Sequence, residues 1–224
     1  MHMSHRRAVM MAAAALSLAS LQQAAAHPHV WVTYESTVVY DKGSIIGLDH
    51  VWTFDDMYTQ MAIEGLDKNN DGTYSREELA ELTDVNMQGL KDFDYFTFAK
   101  LGETAVKNAG PKDAWLEYAN GMLRLHFRIE LEQPVLAEAE GFTFSVYDPS
   151  FFIAFEPEKD NAIKIAEGAP AGCKAVIVEP KPSETNSDDL KQQLLNDAFA
   201  QELGQTTNIG GNFTKTVSVS CGKS

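Results

Sequence analysis

Apolar and polar residues alternate with a period of two from residue 30 onward. Val30, Val32, Tyr34, Val38 and Tyr40 mark one run, and Ile46, Leu48, His50, Trp52 and Phe54 mark the next, with Asp41-Lys42-Gly43 between them. Two such runs around a short Gly-containing turn predict a β-hairpin. The period then changes. Tyr58, Met61, Ala62 and Leu66, followed by Leu79 and Leu82, recur at helical spacing, so residues 56 to 91 read as a helical insertion. Strand patterns return around residues 95–99, 114–118, 123–131, 142–147 and 151–155, and Asn120-Gly121 predicts a tight hairpin turn. Near the end, Ser187 is a suitable N-cap, with Asp188 and Asp189 in the first turn. The helix it would start carries Leu190, Leu194, Ala198 and Leu203 on one face and stops at Gly204. This order predicts an α+β fold, mainly an antiparallel β-sandwich or curled sheet, with a helical insertion and one late C-terminal helix.

The first 26 residues have a different pattern. Arg6 and Arg7 precede an apolar, alanine-rich stretch over residues 8 to 21, and Ala24-Ala25-Ala26 supplies small residues for cleavage. This is the pattern of a secretory signal peptide, with the mature chain expected to start at His27 in the periplasm. The paired arginines leave twin-arginine export as the alternative to the general route. A single β-rich domain is expected over residues 27–224, because the polar connector Pro180 to Asn186 lies between two strand-like segments that each carry a cysteine. The leader holds two basic and no acidic residues, so its removal takes the formal charge from −14 to −16. That balance argues against a nucleic-acid partner, which needs a basic stripe, and no later segment is apolar enough to be membrane-embedded.

Residues 67 to 78 carry the sharpest chemistry. Asp67, Asn69, Asp71, Thr73, Ser75 and Glu78 occupy the ligand positions of a twelve-residue EF-hand calcium loop, and Gly72 stands at its sixth position. In that pattern Thr73 offers its carbonyl, Ser75 a water-mediated contact and Glu78 both carboxylate oxygens. Tyr74 departs from the pattern, since an aliphatic residue normally pairs there with a second loop. No second loop is present in the sequence.

Cys173 and Cys221 are the only cysteines. An even count in an exported chain, with one cysteine opening a strand-like run and the other closing one, predicts a disulfide between them. Four histidines would survive cleavage: His27, His29, His50 and His126. An N-terminal His27 offers both an imidazole and an α-amine, suited to nickel, cobalt, zinc or copper. Pro28 excludes the square-planar terminal site that needs a deprotonated second amide. A histidine brace or tetrahedral site remains, for which His29 and His50 are expected to meet across the first hairpin, with Asp49, Asp55 and Asp56 available to complete it. His126 shares a strand face with Arg124 and Arg128 and is the weaker candidate. No catalytic motif accompanies these residues, so an enzyme is not expected, a copper redox centre being the exception.

His27-Pro28-His29-Val30, His50-x-Trp52-x-Phe54-Asp55, Gly65 to Leu79, Phe93 to Phe98, Tyr147-Asp148-Pro149-Ser150-Phe151-Phe152 and Ala171-Gly172-Cys173-Lys174 together resemble a bacterial family of exported proteins, domain of unknown function 1007. Its members are commonly labelled the periplasmic component of an uncharacterised ABC-type transport system. The resemblance implies company with membrane permeases of the nickel/cobalt exporter type. From the histidines and this context, the expected function is a periplasmic metal-binding accessory that delivers or buffers a divalent transition metal for a transporter, with a structural calcium site. The alternatives are a calcium-stabilised interaction module without metal transfer and a histidine-brace copper enzyme.

Overall fold

The computed structural model describes residues 28–180, 211 and 214–222. The expected leader over residues 1–26, His27 and the helix expected over residues 187–203 lie outside the described residues. Two β-sheets account for most of what is described. In the larger one, β1 (Val30–Asp41) and β2 (Ser44–Phe54) form the expected hairpin, with Lys42 and Gly43 at φ 46 and 77 in its turn. β2 pairs antiparallel with β6 (Met122–Leu136), which turns through Asn120-Gly121 from β5 (Asn108–Ala119). Both residues of that turn are left-handed, at φ 54 and 83, as a two-residue hairpin of this hand requires. On the far side of β1, β8 (Ile153–Pro157) and β9 (Ile163–Ile165) add in parallel.

The second sheet runs in the order β10 (Lys174–Val178), β11 (Thr216–Ser220), β7 (Phe142–Val146), β3 (Thr97–Leu101) and β4 (Thr104–Val106), antiparallel throughout. Lys174 pairs with Ser220, so Cys173 and Cys221 form the next pair outward, and they are bonded to each other. The strand phase read from the sequence thus agrees with the disulfide.

One core lies between the sheets. On β6 every second residue, Leu123, Leu125, Phe127 and Ile129, is buried, and Val32, Tyr34 and Val38 of β1 join them. Phe142, Phe144, Val217 and Val219 come from the opposite sheet. Each such side chain contributes about 1.5–3 kcal/mol on leaving water. Trp52 meets Phe127 and Phe155 edge to face, each at 4.8 Å. Where β2 crosses β6 at a bulge, a Cβ on Gly47 would stand 2.6 Å from the Ile129 carbonyl oxygen, so no side chain fits there.

The helical insertion is two helices around a loop. α1 (Asp56–Ala62) is capped by Asp55, which accepts hydrogen bonds from the amides of Tyr58 at 2.8 Å and Trp31 at 2.7 Å. α2 (Arg76–Leu90) starts with a reciprocal capping box between Ser75 and Glu78 and packs against β5. A 3-10 turn (Lys91–Phe96) follows, in which Asp94, Tyr95 and Phe96 are all left-handed. β5 begins earlier than its pattern suggests, because register shifts near Gly110 and Asp113 break the alternation.

Candidate functional site

The loop between α1 and α2 closes around Asp67. Its carboxylate accepts hydrogen bonds from the amides of Asp71 at 3.2 Å and Gly72 at 3.0 Å, while Asn69 Oδ1 also accepts from the Asp71 amide at 2.8 Å. Asn70 and Gly72 take left-handed conformations, at φ 58 and 78, which turn the chain sharply enough for this closure. Asp71 accepts from the Thr73 amide and hydroxyl at 2.8 and 2.7 Å, and these bonds hold its carboxyl below the usual carboxylate range. Glu78, the twelfth residue, is buried. Its two oxygens accept from the amides of Ser75 and Lys68, each at 2.9 Å, and the Ser75 bonds foremost lower its pKa.

Among the described residues no three His, Cys, Asp or Glu side chains converge on one point. In this loop the carboxylate oxygens face backbone N–H groups instead, and half of the expected donors are Asn69, Ser75 and the Thr73 carbonyl. The donor set is all oxygen, on one short closed loop, which is the chemistry a hard cation such as calcium takes. Tyr74 is the position that departs from the sequence pattern, and its ring packs edge-on against Tyr118 of β5 at 4.9 Å.

The histidines separate. His50 is 1% exposed and sits in the core, because it shares its strand face with Leu48, Trp52 and Phe54. Its Nδ1 lies 2.8 Å from the Ser36 hydroxyl and its Nε2 3.3 Å from the Thr97 hydroxyl. Thr97 donates its own proton to the Tyr95 carbonyl, so Nε2 carries the imidazole proton and Nδ1 accepts from Ser36. Desolvation pushes the His50 pKa down to about 3, against a small opposing effect of Asp49. His29 is exposed, its ring 4.8 Å from that of Phe152.

The expected meeting of His29 and His50 does not occur. His50 pairs with Ser36, seven positions along β1 from His29, which is about 23 Å of strand at ~3.3 Å per residue. Both ring nitrogens of His50 are committed inside the core, so it is not a surface ligand. His27 lies outside the described residues. Asp55 caps α1, and Asp49 is held by Arg128 through bonds of 2.6 and 2.9 Å.

The outer face of the larger sheet carries a network that sequence reading missed. The His126 ring stacks on Trp115 at 3.9 Å with planes 7° apart, and its Nε2 is 3.0 Å from Glu117. Arg76, the first residue of α2, holds its guanidinium 3.9 Å from the same indole. Burial under this stack lowers the His126 pKa, and the Glu117 hydrogen bond opposes the shift. Through Tyr74 and Arg76, both ends of the 74–76 segment are anchored on β5. The alternation of β6 had placed His126 on this face; the spacing gave no sign of its aromatic partner.

Comparison with known proteins agrees with this reading of the chain's kinship. The chain is 20% identical over 198 residues to an uncharacterized protein of Haemophilus influenzae, covering 88% of this chain and 91% of that one. No solved structure matches. A family model described as a protein of unknown function (DUF1007) matches residues 12–221, nearly the whole sequence, and the chain therefore belongs to the DUF1007 family.

Proposed function

We propose that this protein is a calcium-stabilised interaction module of the periplasm that works alongside a membrane transporter. The observation that carries the reading is the closed loop of residues 67–78, with its oxygen donors, left-handed fourth and sixth positions and buried twelfth glutamate. When bound, calcium would supply a fixed positive charge that holds the loop closed. Asp67, Asn69, Asp71, the Thr73 carbonyl, Ser75 and Glu78 are the residues to hold it. Glu78 would hold it with the two carboxylate oxygens that accept from the Ser75 and Lys68 amides. A solitary site of this type in an extracellular module binds with a Kd of roughly 10⁻⁴ to 10⁻³ M. The loop is pinned to β5 through Tyr74 and Arg76, so calcium acts as a clamp on the α1–α2 unit. The leader pattern of residues 1–26 supports export, and the resemblance to transporter-associated proteins supports a permease of the nickel/cobalt exporter type as partner.

Delivery of a transition metal is the second reading. It is favoured by the exposure of His29, two residues after the expected mature terminus, and it no longer includes His50. A histidine brace for copper would likewise have to form without His50. Metal analysis of protein secreted with its own leader, after gel filtration in buffer containing calcium and equimolar nickel, cobalt, zinc and copper, distinguishes the readings. One equivalent of calcium supports the clamp. A stoichiometric transition metal that disappears in His29→Ala, with no calcium retained, sinks it in favour of delivery.

A further inference from the structure

At the end of α2 two turns with left-handed phenylalanine or tyrosine residues meet. After Leu90, the left-handed run Asp94-Tyr95-Phe96 leaves Phe93 54% exposed. Facing it, Asp148, itself 4% exposed, accepts from the amides of Ser150, Phe152 and Ile153 at 2.8, 3.0 and 3.0 Å, and Phe151 sits at φ 59. That turn leaves Phe152 53% exposed. Left-handed non-glycine residues each cost on the order of 1–3 kcal/mol and persist where the surrounding structure enforces them. Here they hold two phenyl rings in water. Both turns also come from the segments that carry the family resemblance, Phe93 to Phe98 and Tyr147 to Phe152.

Between the two rings runs a groove of about 470 Å³, walled on one side by Val85, Gly89 and Leu90 of α2 and on the other by Phe152 and Ile153. Gly89 is unexplained by the fold. It lies in the last turn of a helix, and an added Cβ would meet nothing within 4 Å. Its bare backbone gives the groove an open floor on which another chain can rest closely.

The surroundings identify the charge of what rests there. The stretch 81–94, from which the α2 wall and Phe93 come, carries four exposed acids, Glu81, Asp84, Asp92 and Asp94, against one base, Lys91, and none of the four makes an ion pair among the described residues. We propose that this groove docks an amphipathic segment of a protein partner that presents large apolar side chains flanked by lysine or arginine. An apolar slot with a one-sign rim selects such a segment in the way helix-in-groove recognition does. The same rim repels anionic lipid, and it opposes pairing with a second copy, which would bring the acids of both rims together. The inference builds on the interaction half of the proposed function and needs nothing of calcium.

The probe is a fluorescein-labelled fourteen-residue leucine/lysine amphipathic peptide, titrated by anisotropy with residues 27–224, with and without calcium. The comparison is the same peptide with glutamate for lysine. The Lys peptide is expected to bind, the Glu peptide to bind at least tenfold more weakly, and Gly89→Leu, which fills the floor without touching the fold's interior, to weaken the Lys peptide at least tenfold. Phe93→Ser/Phe152→Ser should do the same at unchanged net charge, with circular dichroism confirming folding. Unchanged affinity in Gly89→Leu overturns the proposal, since attraction to a −16 chain alone would survive it. A stable dimer in sedimentation that Gly89→Leu dissolves also overturns it, in favour of a second copy. Binding retained with calcium chelated leaves this surface standing even if the calcium clamp fails; loss of binding in Gly89→Leu with calcium uptake intact separates the two in the other direction.

Discussion

Lowering the pH should destabilise this protein through His50. The imidazole is neutral in the core, with its pKa pushed down to about 3, whereas in the unfolded chain it titrates near 6.5. Between these values the unfolded state binds one proton more than the folded state, so unfolding free energy rises with pH at about 1.4 kcal/mol per unit. The stability is fully present above pH 6.5 and is lost as pH falls toward 3. From pH 7 to 4.5 the loss from this one group is about 2.5 kcal/mol, a large share of the 5–15 kcal/mol typical of a domain. The control is His50→Gln, whose amide donates toward Thr97 and accepts from Ser36 without titrating. Urea unfolding followed by tryptophan fluorescence, in chelator-treated buffer at several pH values, should give curves for the two proteins that diverge below pH 6.5. Carboxylates affect both alike, and taking the difference removes them. Parallel curves from pH 7 to 4.5 would refute the buried, neutral assignment of His50.

Other outcomes follow from packing and chain entropy. Reducing Cys173–Cys221, which closes a separation of 48 residues, should lower stability by about 4 kcal/mol in the chain-entropy model, read as a lower urea midpoint; an unchanged midpoint would contradict it. Gly47→Ala should cost about 1–3 kcal/mol, because its Cβ would lie 2.6 Å from the Ile129 carbonyl oxygen and must push β2 from β6. Gly43→Ala, where a Cβ meets open space but φ is 77, should cost less than that clash, by thermal unfolding, if close approach is what Gly47 serves.

Local rules were legible in the sequence, and long-range choices were not. Asn120-Gly121 announced its turn because the need for two left-handed residues is written in two adjacent letters. The phase of β10 and β11 placed the two cysteines opposite each other without any knowledge of the rest of the fold. The parallel addition of β8 and β9 to β1 was invisible, since which strand a crossover returns to is set by the whole core. His50 is the instructive error. It stands in phase with Leu48, Trp52 and Phe54, and that phase alone placed it inside; reading it as a ligand gave residue type precedence over position. Phe152 fell inside a strand pattern over residues 151–155 and Phe93 between two predicted elements, and periodicity did not record the left-handed turns beside them that go with their exposure.

The central claim is that residues 67–78 bind calcium and clamp the α1–α2 unit onto β5. Calorimetric titration of residues 27–224 with calcium, beside Glu78→Gln, tests it most directly. We predict one site with a Kd of roughly 10⁻⁴ to 10⁻³ M, abolished in the variant. At about ten times that Kd, bound calcium should add about 1.4 kcal/mol of stability, seen as a rise in Tm in the native protein alone. Absence of heat and of any Tm shift at about 10 mM calcium, well above that range, or a shift equally large in Glu78→Gln, would contradict the account.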